Sequence, residues 1–105
     1  KNPFEAVRFY QEAADKGHAG AQLFLGAAYA VGSGVQRDAV RAHMWVSLSV
    51  DAGHPAAPKY LESLEKQLRK TQISEARQLK DEWQENPISS GAEEIPRLSV
   101  WTSGS

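Results

Sequence analysis

Apolar residues recur at helical spacing through most of the chain. Phe4, Val7, Phe9, Tyr10, Ala13 and Ala14 predict a helix over 3–16. Asn2 suits its N-cap, Pro3 its first turn and Gly17 its C-terminal stop. Ala21, Phe24, Leu25, Ala28 and Val31 share one broad face and predict a second helix over 19–31. Gly26 in its middle costs about 1 kcal/mol against alanine, and close approach of another helix is the reason to keep it. The segment from Gly32 through Ser33, Gly34 and Val35 to Asp38 reads as a turn, with Asp38 as the N-cap of a third helix over 39–52. That helix turns Val40, Trp45, Leu48 and Ala52 inward and ends at Gly53-His54-Pro55. Leu61, Leu64 and Leu68 mark a fourth helix over 56–69. Thr71 caps a fifth near 72–84, with Ile73, Ala76, Leu79 and Trp83 as its apolar stripe. Phe9, Tyr10, Phe24, Tyr29 and Trp45 are assigned to the core, bulky rings packed against alanines where helices cross.

From Asn86 the helical pattern stops. Pro87, Ser89, Ser90, Gly91 and Pro96 break any helix, and residues 86–105 read as an extended tail. Ile95, Leu98, Val100 and Trp101 are its apolar anchors. They predict a tail that occupies a groove or covers an open end, on its own body or on a second copy of the chain. Residues 102–105 read as linker.

The helical part repeats. A shift of 36 positions lays Ala6 on Ala42, Phe9 on Trp45, Asp15 on Asp51, Gly17 on Gly53, His18 on His54, Ala21 on Ala57 and Leu25 on Leu61. A period in this range is the signature of a helical solenoid. Ala21-Gln22, Leu25-Gly26, Tyr29, Gly32, Gly34-Val35, Asp38, Ala42, Trp45 and Gly53 together resemble a Sel-one-like repeat, a relative of the tetratricopeptide repeats. Residues 1–18 resemble the closing half of a preceding repeat, 19–53 a full repeat, and 54–85 a diverged capping unit with Glu62 in place of glycine and Glu65 in place of tyrosine.

The resemblance implies an all-α fold. It is an α/α superhelix, or solenoid, of about five antiparallel helices, completed here by the extended tail. It also implies a scaffold that binds a protein or peptide. Bacterial members with Ala-His-Met-Trp, as at Ala42-His43-Met44-Trp45, are often exported, which favours the periplasm or secretion over the cytoplasm. The chain opens on Lys1 in mid-repeat. That predicts further repeats upstream in a parent protein, or an open flank on the first helix.

Composition narrows the function. The 105 residues carry 41% hydrophobic and 24% charged side chains, ordinary for a globular domain. A net charge of −1 lacks the basic footprint of a nucleic-acid binder. Cysteine is absent, which excludes disulfides, thiolate zinc sites and thiol catalysis. No apolar run reaches the length of a membrane span.

Candidate chemistry is sparse. The glycine turn at 32–38 lacks a phosphate-binding lysine, and Asp38 would repel phosphate. His18 and His54 share one repeat position at a helix start, which points to structure. His43 stands alone, so no metal, cofactor or catalytic site is expected. Glu62 and Glu65 alternate with Lys59, Lys66, Arg69 and Lys70, as on a solvated face with helical ion pairs. Residues 59–80 are locally basic and 81–94 acidic, which fits a charge-complementary protein partner or self-association. By analogy with tetratricopeptide repeats, Leu23, Ala27 and Ala30 of the second helix and Lys59, Ser63 and Lys66 of the fourth would line the partner-binding groove. Alternatively, Leu23 and its neighbours contact an upstream helix.

Overall fold

The computed structural model describes residues 2–85 and is all-helical there. The helices are α1 (Pro3–Asp15), α2 (Ala19–Val31), α3 (Ala39–Asp51), α4 (Ala57–Glu65) and α5 (Lys70–Glu85). The tail anchors Ile95, Leu98, Val100 and Trp101 lie outside the described residues.

The repeat is visible in the helix ends. α1 and α3 have equal length and start 36 residues apart. Each begins at a short polar cap. The Asn2 side chain accepts from the backbone N–H of Phe4 and Glu5, and Asp38 accepts from that of Arg41. His18 and His54 also do the same kind of work twice. Nδ1 of His18 accepts from the Ala21 N–H at 3.3 Å, and Nδ1 of His54 accepts from the Ala56 N–H at 3.1 Å. Both histidines therefore occupy free donors at a helix start.

α3 is the centre of the fold. It packs against α2, α4 and α5, while α1 packs chiefly on α2. One apolar cluster joins Val7 and Ala14 of α1, Ala21, Leu25 and Ala28 of α2, and Met44, Trp45 and Leu48 of α3. A second joins Ala42 and Val46 of α3 to Ala57 and Leu64 of α4. Gly26 marks the crossing of α2 over α3. A Cβ there would overlap a Val46 methyl and lie 3.2 Å from both the Ala42 carbonyl oxygen and the Val46 nitrogen. Two buried polar side chains tie the layers. Ser49 Oγ donates to the Ala19 carbonyl at 2.8 Å, and Gln22 Nε2 donates to the Ala14 carbonyl at 3.2 Å.

The order and periodicity of the helices match the sequence reading, with corrections to a boundary, a cap and the burial of several apolar side chains. α4 ends at Glu65, not near residue 69, and α5 opens at Lys70. Tight bonds from the Gln67 N–H to the Leu64 carbonyl and from the Leu68 N–H to the Glu65 carbonyl close α4. Thr71 is not the cap of α5; it lies in the first turn. Gln72 Oε1 accepts from the Arg69 N–H at 2.9 Å, so the third helical residue reaches back over the start.

Phe9 is 66% exposed and Phe24 38% exposed, so neither is core. The repeat sets Phe9 in the place of Trp45, which is 4% exposed. Trp45 is covered because α3 has helices on several sides and α1 has not. Phe9, Tyr10 and Phe24 instead form an aromatic row, with Tyr10 stacked on Phe24 at 4.1 Å and Phe9 edge-on to Tyr10 at 5.2 Å. Val31 and Ala52 also face solvent, each beside a glycine turn that ends its helix.

Candidate functional site: a cleft between the first and last helices

α1, packed on α2, and α5, packed on α3, leave a cleft of about 420 Å³ between them. Half-buried Leu79 and Trp83 of α5 give it an apolar surface, backed by buried Met44 and Trp45 of α3. Trp45 and Trp83 meet edge to face, 5.7 Å between ring centroids and 70° between planes. That geometry suits the ring quadrupoles and fixes α5 on α3. Tyr29 of α2 closes one end, and Gln11, Asp15, Arg41 and Glu82 supply the polar groups. A concave apolar surface with a few polar groups is the usual form of a ligand site.

Two neighbouring hollows share residues with the cleft. Among the described residues the first is lined by α1 alone, with Glu5, Arg8, Phe9 and Glu12 beside the shared Gln11 and Asp15. The second lies along the seam of α3 and α5, with Asp38, Val40, Glu75 and Gln78 beside the shared Arg41, Leu79 and Glu82. Arg41 already has a counter-charge, with its Nε 3.5 Å from an Asp38 oxygen.

Asp15 is half-buried in this surface. Gln11 Nε2 donates to it at 3.0 Å, and the Trp83 indole N–H lies close to it. Burial pushes its carboxyl above the ordinary value of 3.8, and the Gln11 and Trp83 groups pull it back only in part. The folded chain therefore binds the Asp15 proton more tightly than the unfolded chain. The stability this adds is present below the unfolded value and is lost as pH rises through the folded one. Asp15→Asn keeps an acceptor for Gln11 and removes the charge. Its melting temperature should exceed that of the parent chain at about pH 7, and the difference should close at about pH 3. Thermal melts at the two pH values check this.

One polar pair sits outside the cleft. His43 Nε2 lies 2.7 Å from Glu65 Oε2, joining α3 to α4, with the His43 side chain only 2% exposed. Glu65 thus leaves the solvated face assigned to it and holds a buried imidazole. Nothing local signals the pair, since the residues are 22 apart. The remaining hint is a polar ring within the otherwise apolar run from Ala42 to Val46, which winds right round α3 and is buried throughout. Among the described residues, no group of three or more histidines and carboxylates could hold a metal ion. No helix there is long and apolar enough to cross a membrane.

The residues first assigned to a groove are placed as follows. Leu23 and Ala30 are half-buried beside Tyr60 and Leu61, against the second apolar cluster. Ala27 is half-buried too; Lys59 and Ser63 are exposed on α4, and Lys66 is exposed just past its end. The cleft between α1 and α5 escaped sequence reasoning, because its walls come from segments some seventy residues apart.

Comparison with protein families gives a match to the Sel1 repeat over residues 1–18 and 19–54, just over half of the chain. The chain belongs to the Sel1 repeat family. Sel1 repeats generally mediate protein–protein interaction and are typically non-catalytic. The first Sel1 match covers α1 with its closing turn, and the second covers α2 and α3. No curated protein gives a significant match.

Proposed function

We propose that this chain is a non-catalytic interaction module that holds a peptide segment of a protein partner in the cleft between α1 and α5. The observation that carries the reading is the make-up of that cleft, with Met44, Trp45, Leu79 and Trp83 beneath Gln11, Asp15 and Glu82. Tryptophan surfaces bordered by polar groups are where binding energy concentrates in protein interfaces. In this reading α4 and α5 are the diverged closing unit over 54–85, and α5 serves as one wall of the site.

A second reading uses the opposite face, with Leu23, Ala27 and Ala30 of α2 and Lys59, Ser63 and Lys66 of α4. It is favoured by the exposure of Lys59, Ser63 and Lys66. A photo-crosslinking residue at Gln78 or at Ser63 separates the two, since both positions are exposed and lie on different helices. In cells that make the protein, crosslinks to a partner from Gln78 and not from Ser63 support the cleft. The reverse pattern moves the site to α2 and α4. Self-association through Ile95, Leu98, Val100 and Trp101 is tested by light-scattering mass, comparing the full chain with one ending at Glu85. A dimer that becomes a monomer on truncation would make the partner a second copy.

A further inference from the structure

α2 carries no charged side chain. A helix of that kind is normally enclosed by others on every side. Here Ala21, Gln22, Leu25, Gly26 and Ala28 are buried where α1 and α3 pack on it, but one stripe is left outward. Gly20, Phe24, Ala27 and Val31 follow one another at intervals of four, three and four residues, so they fall on one line along the helix. Phe24 and Val31 are exposed, and Gly20 and Ala27 are half-buried. A Cβ at Gly20 would meet only the His18 ring, 3.5 Å away. On the α1 side, Tyr10 and Phe9 continue the apolar surface from Phe24 as an aromatic row. Tyr29, which closes the cleft, stands on the opposite side of α2 from Gly20, because nine residues carry a helix through about two and a half turns.

We propose that this stripe is the contact of a homodimer, in which α2 lies antiparallel to the α2 of a second copy about a two-fold axis. The sizes along the stripe select that occupant. An axis between Leu25 and Gly26 sets Phe24 against the partner's Ala27, and Gly20 against the partner's Val31. Each large side chain then faces a small one, so the surface is complementary to itself, as a two-fold contact requires. Parallel pairing would set Phe24 on Phe24 and glycine on glycine. Because α2 is uncharged, its face meets its own copy without like-charge repulsion and without burying an unpaired ion. The same axis brings α1 beside its counterpart, and Phe9 and Tyr10 widen the contact. α2 is about 20 Å long and two neighbouring helices are about 20 Å across, so the contact covers roughly 400 Å² on each copy. That is about half of what a standard stable interface buries, which makes this a weak, reversible dimer. Both clefts stay open in it, each on the far side of α2.

The chain has no cysteine, so introduced ones report the register. Gly20→Cys and Val31→Cys are made in separate full-length chains. Val31 is exposed and a side chain at position 20 has room beside His18, so both should fold, which circular dichroism checks. Oxidised together at high concentration, the two variants should form the mixed disulfide. Oxidised alone, each should form none, because antiparallel pairing holds like positions about 16 Å apart along the axis. A disulfide spans at most about 7 Å between Cα atoms. Light-scattering mass of the parent chain should rise from monomer toward dimer with concentration. Ala27→Glu sets a carboxylate against the partner's Phe24 and should weaken dimerisation by about tenfold or more. Leu98→Ser/Trp101→Ser in the tail should leave it unchanged.

A monomeric mass at every concentration reached would overturn the dimer. Disulfides between like cysteines would overturn the antiparallel pairing, and disulfides formed equally in every mixture would mark random collision and overturn it too. A dimer that ignores Ala27→Glu and dissociates with the tail variant would move self-association from α2 to the tail.

Discussion

Gly26→Ala is expected to destabilise the chain by about 1–3 kcal/mol. The sign is the informative part. In an open helix the same change stabilises by about 1 kcal/mol, because alanine restricts the unfolded chain and favours the helix. Here the added methyl has nowhere to go. It would overlap the Val46 side chain and crowd the α3 backbone at the Ala42 carbonyl and the Val46 nitrogen, each 3.2 Å away. Val46 is fully buried, so it cannot swing into solvent. The helices must separate, and Leu25 and Ala28 beside the crossing lose contact with α3.

A double variant isolates the cause. Val46→Ala alone leaves a void and costs stability of its own. Combined with Gly26→Ala, it removes the methyl that clashes, so the pair should cost clearly less than the two single changes added together. Urea melts of the four chains measure this. Simple additivity would mean that the α2–α3 contact is not what requires glycine at position 26.

What the sequence disclosed was mainly local. Asn2, Asp38, His18 and His54 act within three residues of themselves, and their repetition at one spacing exposes their role. Gly26 was readable as a close approach because nothing local repays a glycine in mid-helix. The end of α4 was not readable. No glycine or proline stands between Leu64 and Lys70, and Leu61, Leu64 and Leu68 continue one apolar stripe through the break. Tight i to i−3 bonds and the reach of Gln72 decide that boundary, and helix propensity is too weak to contest them.

Burial was misjudged where the repeat was taken to carry its environment with it. Phe9 and Trp45 occupy one repeat position but differ in neighbours, and neighbours set exposure. The cleft and the pairing of His43 with Glu65 lie further still from what periodicity records. Each needs two helices brought side by side. Asp15 and Trp83 become part of one surface only when α5 folds back over α3.

Gly34→Ala tests whether the turn between α2 and α3 also clamps α1 in place. Gly34 has φ +82°, in the left-handed region that alanine resists at a cost of about 1–3 kcal/mol. Its missing side chain also makes room for the first turn of α1. A Cβ there would overlap the Pro3 carbonyl oxygen and come within 2.8 Å of the Pro3 carbonyl carbon and a Val7 methyl. Pro3 is the first residue of a helix, so its backbone moves only if α1 moves with it. The two effects together are expected to cost about 2–4 kcal/mol. The loss should be uneven. α1 packs chiefly on α2, whereas α3 keeps α2, α4 and α5 around it. Amide exchange protection should therefore fall most in α1 and least in α3, as a local opening rather than global unfolding. Because α1 carries Gln11 and Asp15, one wall of the cleft would go with it, and peptide affinity should fall in parallel. Exchange that rises equally in all five helices would show that α1 is not a separable wall. The cleft would then be as stable as the core beneath it.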